Sequence, residues 1–433
     1  MTHPPLLPKS NNIKEKLTNM AVVRPFKAIR PTPELSDKVA ALPYDVMNSD
    51  EAREMVKGNP YSFLHIDKAE IDLDPSIDHY DQRVYEKAAT TLTEMINNGT
   101  FIQDEKACYY VYKQVMDGRA QIGIVGCASI DDYINNIIKK HELTRADKET
   151  DRVNHVDFLD ANTGPIFLTY KARKGINDIV NKTMEGAPVY DFVTEDGIGN
   201  TVWVISDEAD VAAISQEFAD TNYLYIADGH HRSASAVRVG RKRRVQNPEY
   251  TGNEEFNFFL SVFFPDEQLY IMDYNRVVVD LNGLTDAEYF AAVENKFTVE
   301  EYNGEGQYRP VEKHTFGMFI NNKWYILTAK EGTYDANDPV ERLDVSILQK
   351  NLLNPILGIG DPRTDNRIDF VGGIRGLAEL ERRVNEGMKV AFSMFPTTID
   401  DLIDIADAGQ IMPPKSTWFE PKLLSGLFIH KLK

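Results

Sequence analysis

Cysteine is scarce: the 433 residues hold two, Cys108 and Cys127. That number excludes a disulfide framework and a cysteine-based zinc site, and fits two buried, reduced thiols. Long apolar runs are missing too. The longest spans about eight residues, around Phe258–Phe264, where a membrane span needs roughly twenty. Positive charge is in deficit, with 48 Lys+Arg against 67 Asp+Glu and a net charge of -19. A broad nucleic-acid surface needs a basic footprint, so nucleic acid is not an expected partner. A local basic pocket for a small anion stays open. Internal repeats and low-complexity linkers are absent. The polar start, MTHPPLLPKSNNIKEKLTNM, lacks the apolar centre of a signal peptide. It reads as a disordered tail over 1–19, with Met20 as an alternative start, and the expected location is cytoplasmic.

What is present is an ordinary globular composition, 42% hydrophobic and 27% charged. The length suggests two or three domains at about 150 residues each. The pattern predicts a mixed α/β chain. AVVRPFKAIR (21–30) reads as a strand closed by Pro31, and SFLHI (62–66) as another. Asn48, Ser49 and Asp50 open a helix. Residues 81–97 read as an amphipathic helix. Asp117-Gly118 is a tight-turn signal between alternating apolar positions and predicts a hairpin. Strands are expected at 164–170, 202–205, 222–228, 256–264 and 269–280. A second hairpin is expected around Asn321-Asn322, a helix at LDVSILQKNLLNPIL, and β-α-β-α alternation to the end.

One turn stands out for chemistry: LYIADGHHRSASAV (224–237). A strand ends in Asp-Gly and opens a helix. The helix N-terminus supplies unsatisfied N–H donors and a favourable dipole for an anion. Gly229 permits close approach, and Arg232 is a fork that fits phosphate or carboxylate. His230 and His231 point different ways, so one of them can face the same anion. The bland alternative makes Asp228 an N-cap and the His-His-Arg group a solvated first turn. A metal site is the weaker option.

Three further stretches bear on the choice. HELTRADKETDR packs His141, Glu142, Arg145, Lys148, Asp151 and Arg152 into twelve residues and leads through DANTGPIFLTY, with Asn162 and Thr163, into a buried strand. It is either a solvated helix face or a site at a junction. PYDV sets Asp45 before a helix, as a turn residue or a carboxylate at the site. IMPPKSTWFEPKLLSGLF is a rigid, loop-like segment, read as a structural lid or as the carrier of Lys415 or Lys422 toward an anion. GRKRR (240–244) reads as cations placed at a helix C-terminus.

PYDV, NPYSFLHI, HELT with KETDR, ANTGPIF, ADGHHRSASA and MPPKSTWFEPKLLSGL occur in this order. Together they resemble the prokaryotic family catalogued as domain of unknown function 1015, from about Met20 onward. The ADGHHR turn also resembles the phosphate-binding turn of the ParB/sulfiredoxin superfamily, which includes free-serine kinases. The resemblance implies a ParB/sulfiredoxin-like nucleotide- and substrate-binding region at 20–265 and a packed C-terminal α/β region at 266–433 closing over the site. It implies a kinase that uses ATP or ADP, with Mg²⁺, to phosphorylate free L-serine. Alternatives are a phosphoserine phosphatase and a non-enzymatic nucleotide-binding regulator.

On that resemblance Gly229, His230, His231, Arg232 and Ser233 would hold nucleotide phosphates. Asp228 would bind Mg²⁺ or take the substrate proton, with Glu142, Asp45 and His230 as further catalytic candidates. His141, Lys148, Arg152, Asn162, Thr163 and Lys415 would hold the amino acid or a phosphate. The kinases sharing this turn use a glutamate early in the chain as base. Here Glu34 precedes PYDV without a clear match, which leaves the base open.

Overall fold

The computed structural model describes residues 20–433. The tail expected at 1–19 lies outside the described residues. The chain is mixed α/β and divides into two compact units. One runs to Gln268 and takes back Pro421–Lys433; the other is Leu269–Glu420. The division falls three residues beyond the expected 265/266 boundary, and the last thirteen residues belong with the first unit instead of the C-terminal region.

The first unit is built on a nine-stranded sheet. Its strands are β1 (Val23–Arg24), β2 (Tyr109–Met116), β3 (Arg119–Ser129), β4 (Ile138–Lys139), β5 (Ile166–Tyr170), β6 (Tyr190–Val193), β7 (Gly199–Ile205), β8 (Leu224–Asp228) and β9 (Phe258–Pro265). They lie in the order β4-β8-β5-β9-β3-β2-β7-β6, and β1 pairs with β3. β9 sits in the middle, parallel to β5 and antiparallel to β3, and every residue of it is buried. Burial on both faces explains why FFLSVFF is a continuous apolar run without alternation.

The β2–β3 hairpin turns at Asp117 and Gly118, with φ of 51° and 77°. Two positive φ values in succession are what a two-residue hairpin demands. The longer helices that matter for the site are α1 (Gln82–Asn97), α2 (Ala146–Leu159) and α5 (His230–Gln246); α3 (Lys174–Met184) and α4 (Glu208–Ala219) also belong to the unit, beside shorter helices such as Ser49–Met55 and Ile130–Ile134.

Two strand expectations fail for local reasons. The stretch 21–30 is broken in two: Val23–Arg24 pairs with β3, while Ile29–Pro31 pairs with Phe101–Gln103. Pro25 cannot donate to a ladder, and it ends the first piece. SFLHI is not a strand: Leu64–Asp67 is a helical turn with Leu64, Ile66 and Asp67 buried. A short apolar run is compatible with either state, and here packing against α1 decides.

The second unit is built on a six-stranded sheet: β10 (Tyr274–Val278), β11 (Phe297–Glu301), β12 (Thr315–Ile320), β13 (Lys323–Ala329), β14 (Ile368–Gly372) and β15 (Val390–Met394). Their order is β11-β13-β12-β15-β10-β14, antiparallel throughout. Asn321 and Asn322 form the expected hairpin turn, with φ of 53° and 60°. Phe316, Met318, Leu327 and Phe392 are fully buried in its core. The expected helix after Leu343 is α-helical only over Asp344–Leu348 and then widens to a π-turn over Gln349–Leu353.

Candidate functional site

The turn after β8 has the backbone its sequence predicts. The pairing of β8 with β5 shifts register between Ile226 and Asp228, a bulge that re-aims the strand end. Gly229 follows at φ +96° and is itself the N-cap of α5. A side chain there would be strained, and its Cβ would lie 3.4 Å from Arg232 Nε. Asp228 is therefore not the cap. Its Oδ1 accepts the Gly229 N–H at 2.8 Å, and no side chain caps α5. The first-turn N–H groups keep their capacity for an anion. Ser233 does not join them through its side chain. It is fully buried, and its hydroxyl donates back to the carbonyls of His230 and Gly229.

Cations gather on Asp228. Its Oδ2 lies 3.4 Å from Lys422 Nζ and 3.9 Å from Arg232 Nη2. Burial pushes this carboxyl up, but Lys422, Arg232 and the Gly229 N–H outweigh it and hold the group far below the usual carboxylate range. Arg232 also donates to the Pro165 carbonyl at 2.6 Å. Burial disfavours its charge, while Asp45 and then Asp228 favour it and win. Asp45 itself is exposed.

Two buried imidazoles lie beside this group. His141 and His230 meet edge to face, with centroids 4.5 Å apart. Both nitrogens of His141 and Nε2 of His230 are buried without a hydrogen-bond partner. His230 Nδ1 lies 3.7 Å from the half-exposed Glu142 carboxylate. Burial drives both rings toward the neutral form, His141 to about 4 and His230 well below its ordinary value. His231 Nε2 accepts the Arg145 N–H at 3.0 Å, so its proton sits on Nδ1. Burial lowers it as well.

Next to the turn is a pocket open to solvent, and Arg232 forms part of its lining. α2 supplies Arg152, which donates to Asp151 at 2.8 Å and lies 4.0 Å from the Tyr44 ring centroid. Asp151 is held in turn by the Tyr85 hydroxyl of α1 at 2.9 Å. The opposite charge comes from Asp67, buried, accepting the Thr163 hydroxyl at 3.0 Å. His155 Nε2 is 3.9 Å from Asp67 and 3.1 Å from the Ile66 carbonyl. Burial and then Arg152 push its pKa down. Asn162 accepts the Leu260 N–H at 3.4 Å, and Ser425, from the returning C-terminal segment, also lines the space. With Arg152 already paired to Asp151, the lining offers Arg152 and Arg232 on one side and Asp67 on the other, beside neutral donors, which suits a small ligand that carries a negative and a positive group.

Several candidates thus meet: Asp228, Gly229, His230, His231, Arg232, His141 and Glu142 around the turn, and Arg152, Asn162 and Thr163 in the adjoining pocket. Others stand elsewhere. Lys148 is turned to the Tyr80 hydroxyl at 2.9 Å. Lys415 belongs to the second unit, with its ammonium 5.5 Å from the Tyr274 ring centroid. Lys422 is the lysine beside Asp228. Glu34 is exposed on a short 3₁₀ turn. As a magnesium ligand Asp228 fits poorly, because one oxygen takes an N–H and the other faces two cations. Among the described residues no three His, Cys, Asp or Glu side chains group as a metal site.

Tyr44, Asp67 and His155 were not anticipated. Tyr44 adjoins Asp45 in PYDV, and Asp67 follows SFLHI directly. Reading that stretch as a strand hid the turn that carries Asp67 inward. No helix among the described residues is long and apolar enough to cross a membrane.

A family model described as "Protein of unknown function (DUF1015)" matches residues 23–346. Among curated proteins none matches. Solved structures with some likeness include a free serine kinase in complex with AMP, 12% identical, covering 69% of this chain and 86% of that one at a TM-score of 0.35. Another is SbnI with C-terminal truncation from Staphylococcus aureus, 10% identical, covering 69% and 85% at a TM-score of 0.36.

Proposed function

We propose that the chain, which belongs to the DUF1015 family, is a small-molecule phosphotransferase that moves a phosphoryl group between ATP or ADP and the hydroxyl of free L-serine. One observation carries the reading. Arg232 is shared by an uncapped helix N-terminus that suits phosphate and a pocket that suits a zwitterion.

In this reading the α5 N–H groups, Arg232 and Lys422 hold the nucleotide phosphates. Phosphoryl transfer asks for positioning and charge stabilisation above all. Arg152 takes the amino acid's carboxylate, and Asp67 takes its ammonium. The serine oxygen forms a bond to the terminal phosphorus as the bond from phosphorus to the nucleotide oxygen breaks. The hydroxyl proton needs an acceptor. Asp228, held ionised by two cations, is a weak base. His230 is the better one: it is neutral, its Nε2 is unpartnered, and Glu142 faces its other nitrogen. Magnesium would arrive with the nucleotide as part of the substrate.

The same free nitrogen favours one second reading, a phosphoserine phosphatase with His230 as nucleophile or acid and no nucleotide. Phosphorus NMR separates the two. The protein is incubated with L-serine, Mg²⁺ and ATP or ADP, and in parallel with phosphoserine with and without AMP or ADP. Phosphoserine appearing only with nucleotide is the expected outcome. Phosphate released from phosphoserine without nucleotide would select the phosphatase. No turnover in any tube would remove both.

A further inference from the structure

The first unit has a second pocket, at the other end of β5 from the first. β5 begins at Ile166, which lines the pocket beside Arg232, and ends at Tyr170, which lines this one. Four steps along the strand set those residues about 13 Å apart. No residue belongs to both linings. β9 runs parallel to β5 and ends at Pro265, also part of the second lining.

The wall of this pocket is apolar. Ile122 and Ile124 of β3, Val180 of α3 and Pro265 form it, and all but Ile122 are buried. One polar group without a partner is set into it. Tyr170 is 1% exposed, and its ring meets Phe218 edge to face with centroids 5.2 Å apart. Its hydroxyl has no hydrogen bond among the described residues. A buried tyrosine hydroxyl ordinarily finds one. The pocket is where a partner can reach it.

The charge around the phenol has one sign left over. Burial, and then Glu267 and Asp266, push the Tyr170 pKa up and keep the group protonated; Glu217 acts in the same direction. Asp266 is paired with Lys171 at 2.8 Å, and Glu217 with Arg173 at 2.6 Å. Glu267 pairs with no cation among the described residues. It accepts the Asn177 amide at 3.3 Å. Asn177 stands on α3 at the rim, and no described Lys or Arg lines the pocket.

We infer that this pocket binds a small primary amine with an apolar body. Glu267 supplies the counter-charge to the ammonium, the Tyr170 hydroxyl accepts one of its N–H groups, and the apolar wall takes the rest of the molecule. The inference stands whether or not the first unit transfers phosphoryl groups.

Saturation-transfer NMR on the full chain tests it. Salt at about 0.15 M screens the general attraction of an acidic surface for amines. Butylamine should bind. Methylamine, which lacks the body, should bind about tenfold more weakly. Butyrate, the same body with the opposite charge, should give no saturation. Glu267→Gln should weaken butylamine about threefold, as suits an exposed carboxylate. Tyr170→Phe keeps the ring and its contact with Phe218, and should weaken butylamine about fivefold.

No saturation of butylamine, or equal affinity for butyrate, overturns the inference. Methylamine binding as tightly as butylamine does the same, because the apolar wall would then contribute nothing. So does parent affinity in both variants. If Asp67→Asn then abolishes the signal, the amine sits in the first pocket instead.

Discussion

α5 carries cations at both ends and treats them differently. At its C-terminal end Lys242 pairs with Asp157 at 2.6 Å, and Arg243 with Asp157 and Asp160 at 3.0 and 3.1 Å. Arg244 grips both oxygens of Asp131 at 2.7 Å and reaches Asn257 at 2.6 Å. Every one of these charges has a carboxylate, and the dipole favours them where they are. At the N-terminal end Arg232 lies 3.9 Å from Asp228, which it shares with Lys422, and Asp45 favours its charge without an ion pair among the described residues. The imidazoles of His141 and His230 leave three buried nitrogens without partners. The two ends are similar in composition. What differs is whether the protein supplies the counter-charge, and that is the mark by which a structural cation is told from one held for a ligand.

The contrast can be broken most directly at Arg232. Arg232→Ala should weaken binding of ATP or tripolyphosphate by about 2–3 kcal/mol, roughly 30- to 150-fold, as expected for a lost charge-assisted phosphate contact. Isothermal titration that finds the parent's affinity would reduce the N-terminal end to structure.

Acid should sharpen it next. His141 stays neutral in the folded chain down to about pH 4, whereas the unfolded chain takes up that proton near pH 6.5. Between these values the unfolded state binds more protons, so stability falls as pH drops, by about 1.4 kcal/mol per pH unit. His230, also depressed, acts in the same direction. Urea unfolding at pH 7, 6 and 5 measures the slope, which His141→Gln should flatten. An equal slope in the variant would place the effect in other groups.

The smallest effect belongs to the other end. Arg244→Ala should cost under about 1 kcal/mol, because Asp131 is half exposed and water replaces much of the pair. Anion affinity should not change. A loss of affinity there would erase the distinction between the two ends.

Much of this was readable in the sequence where one residue type has one physical use. Asp117-Gly118 and Asn321-Asn322 mark two-residue hairpins because few residues accept positive φ. The ADGHHR turn announces itself through a glycine between a strand and a helix. Arg152, Asn162 and Thr163 were legible because a charged run led straight into a buried strand. Asp67 was not, since its place depends on a four-residue helix inside an apolar run that also suits a strand. His155 looked like one polar residue among many on α2, and only the packing against Ile66 and Asp67 turns it inward. The strand expected at 21–30 is broken because Pro25 cannot donate to the ladder. The choice between Lys415 and Lys422 could not be made from a loop in which both sit beside prolines.

The first unit is discontinuous, with Leu269–Glu420 threaded between Gln268 and Pro421. The returning strand pairs His430 with Asn162 and brings Lys422 and Ser425 to the site. A chain therefore makes the ADGHHR turn long before it makes the lysine that meets Asp228. Bringing those parts together requires closing a loop the length of the whole second unit. If that unit folds first, it shortens the loop and lowers the entropy of closure. Its folding then becomes a step in assembling the site, and variants that slow it should delay the appearance of ligand binding during refolding even when none of them touches the ligand.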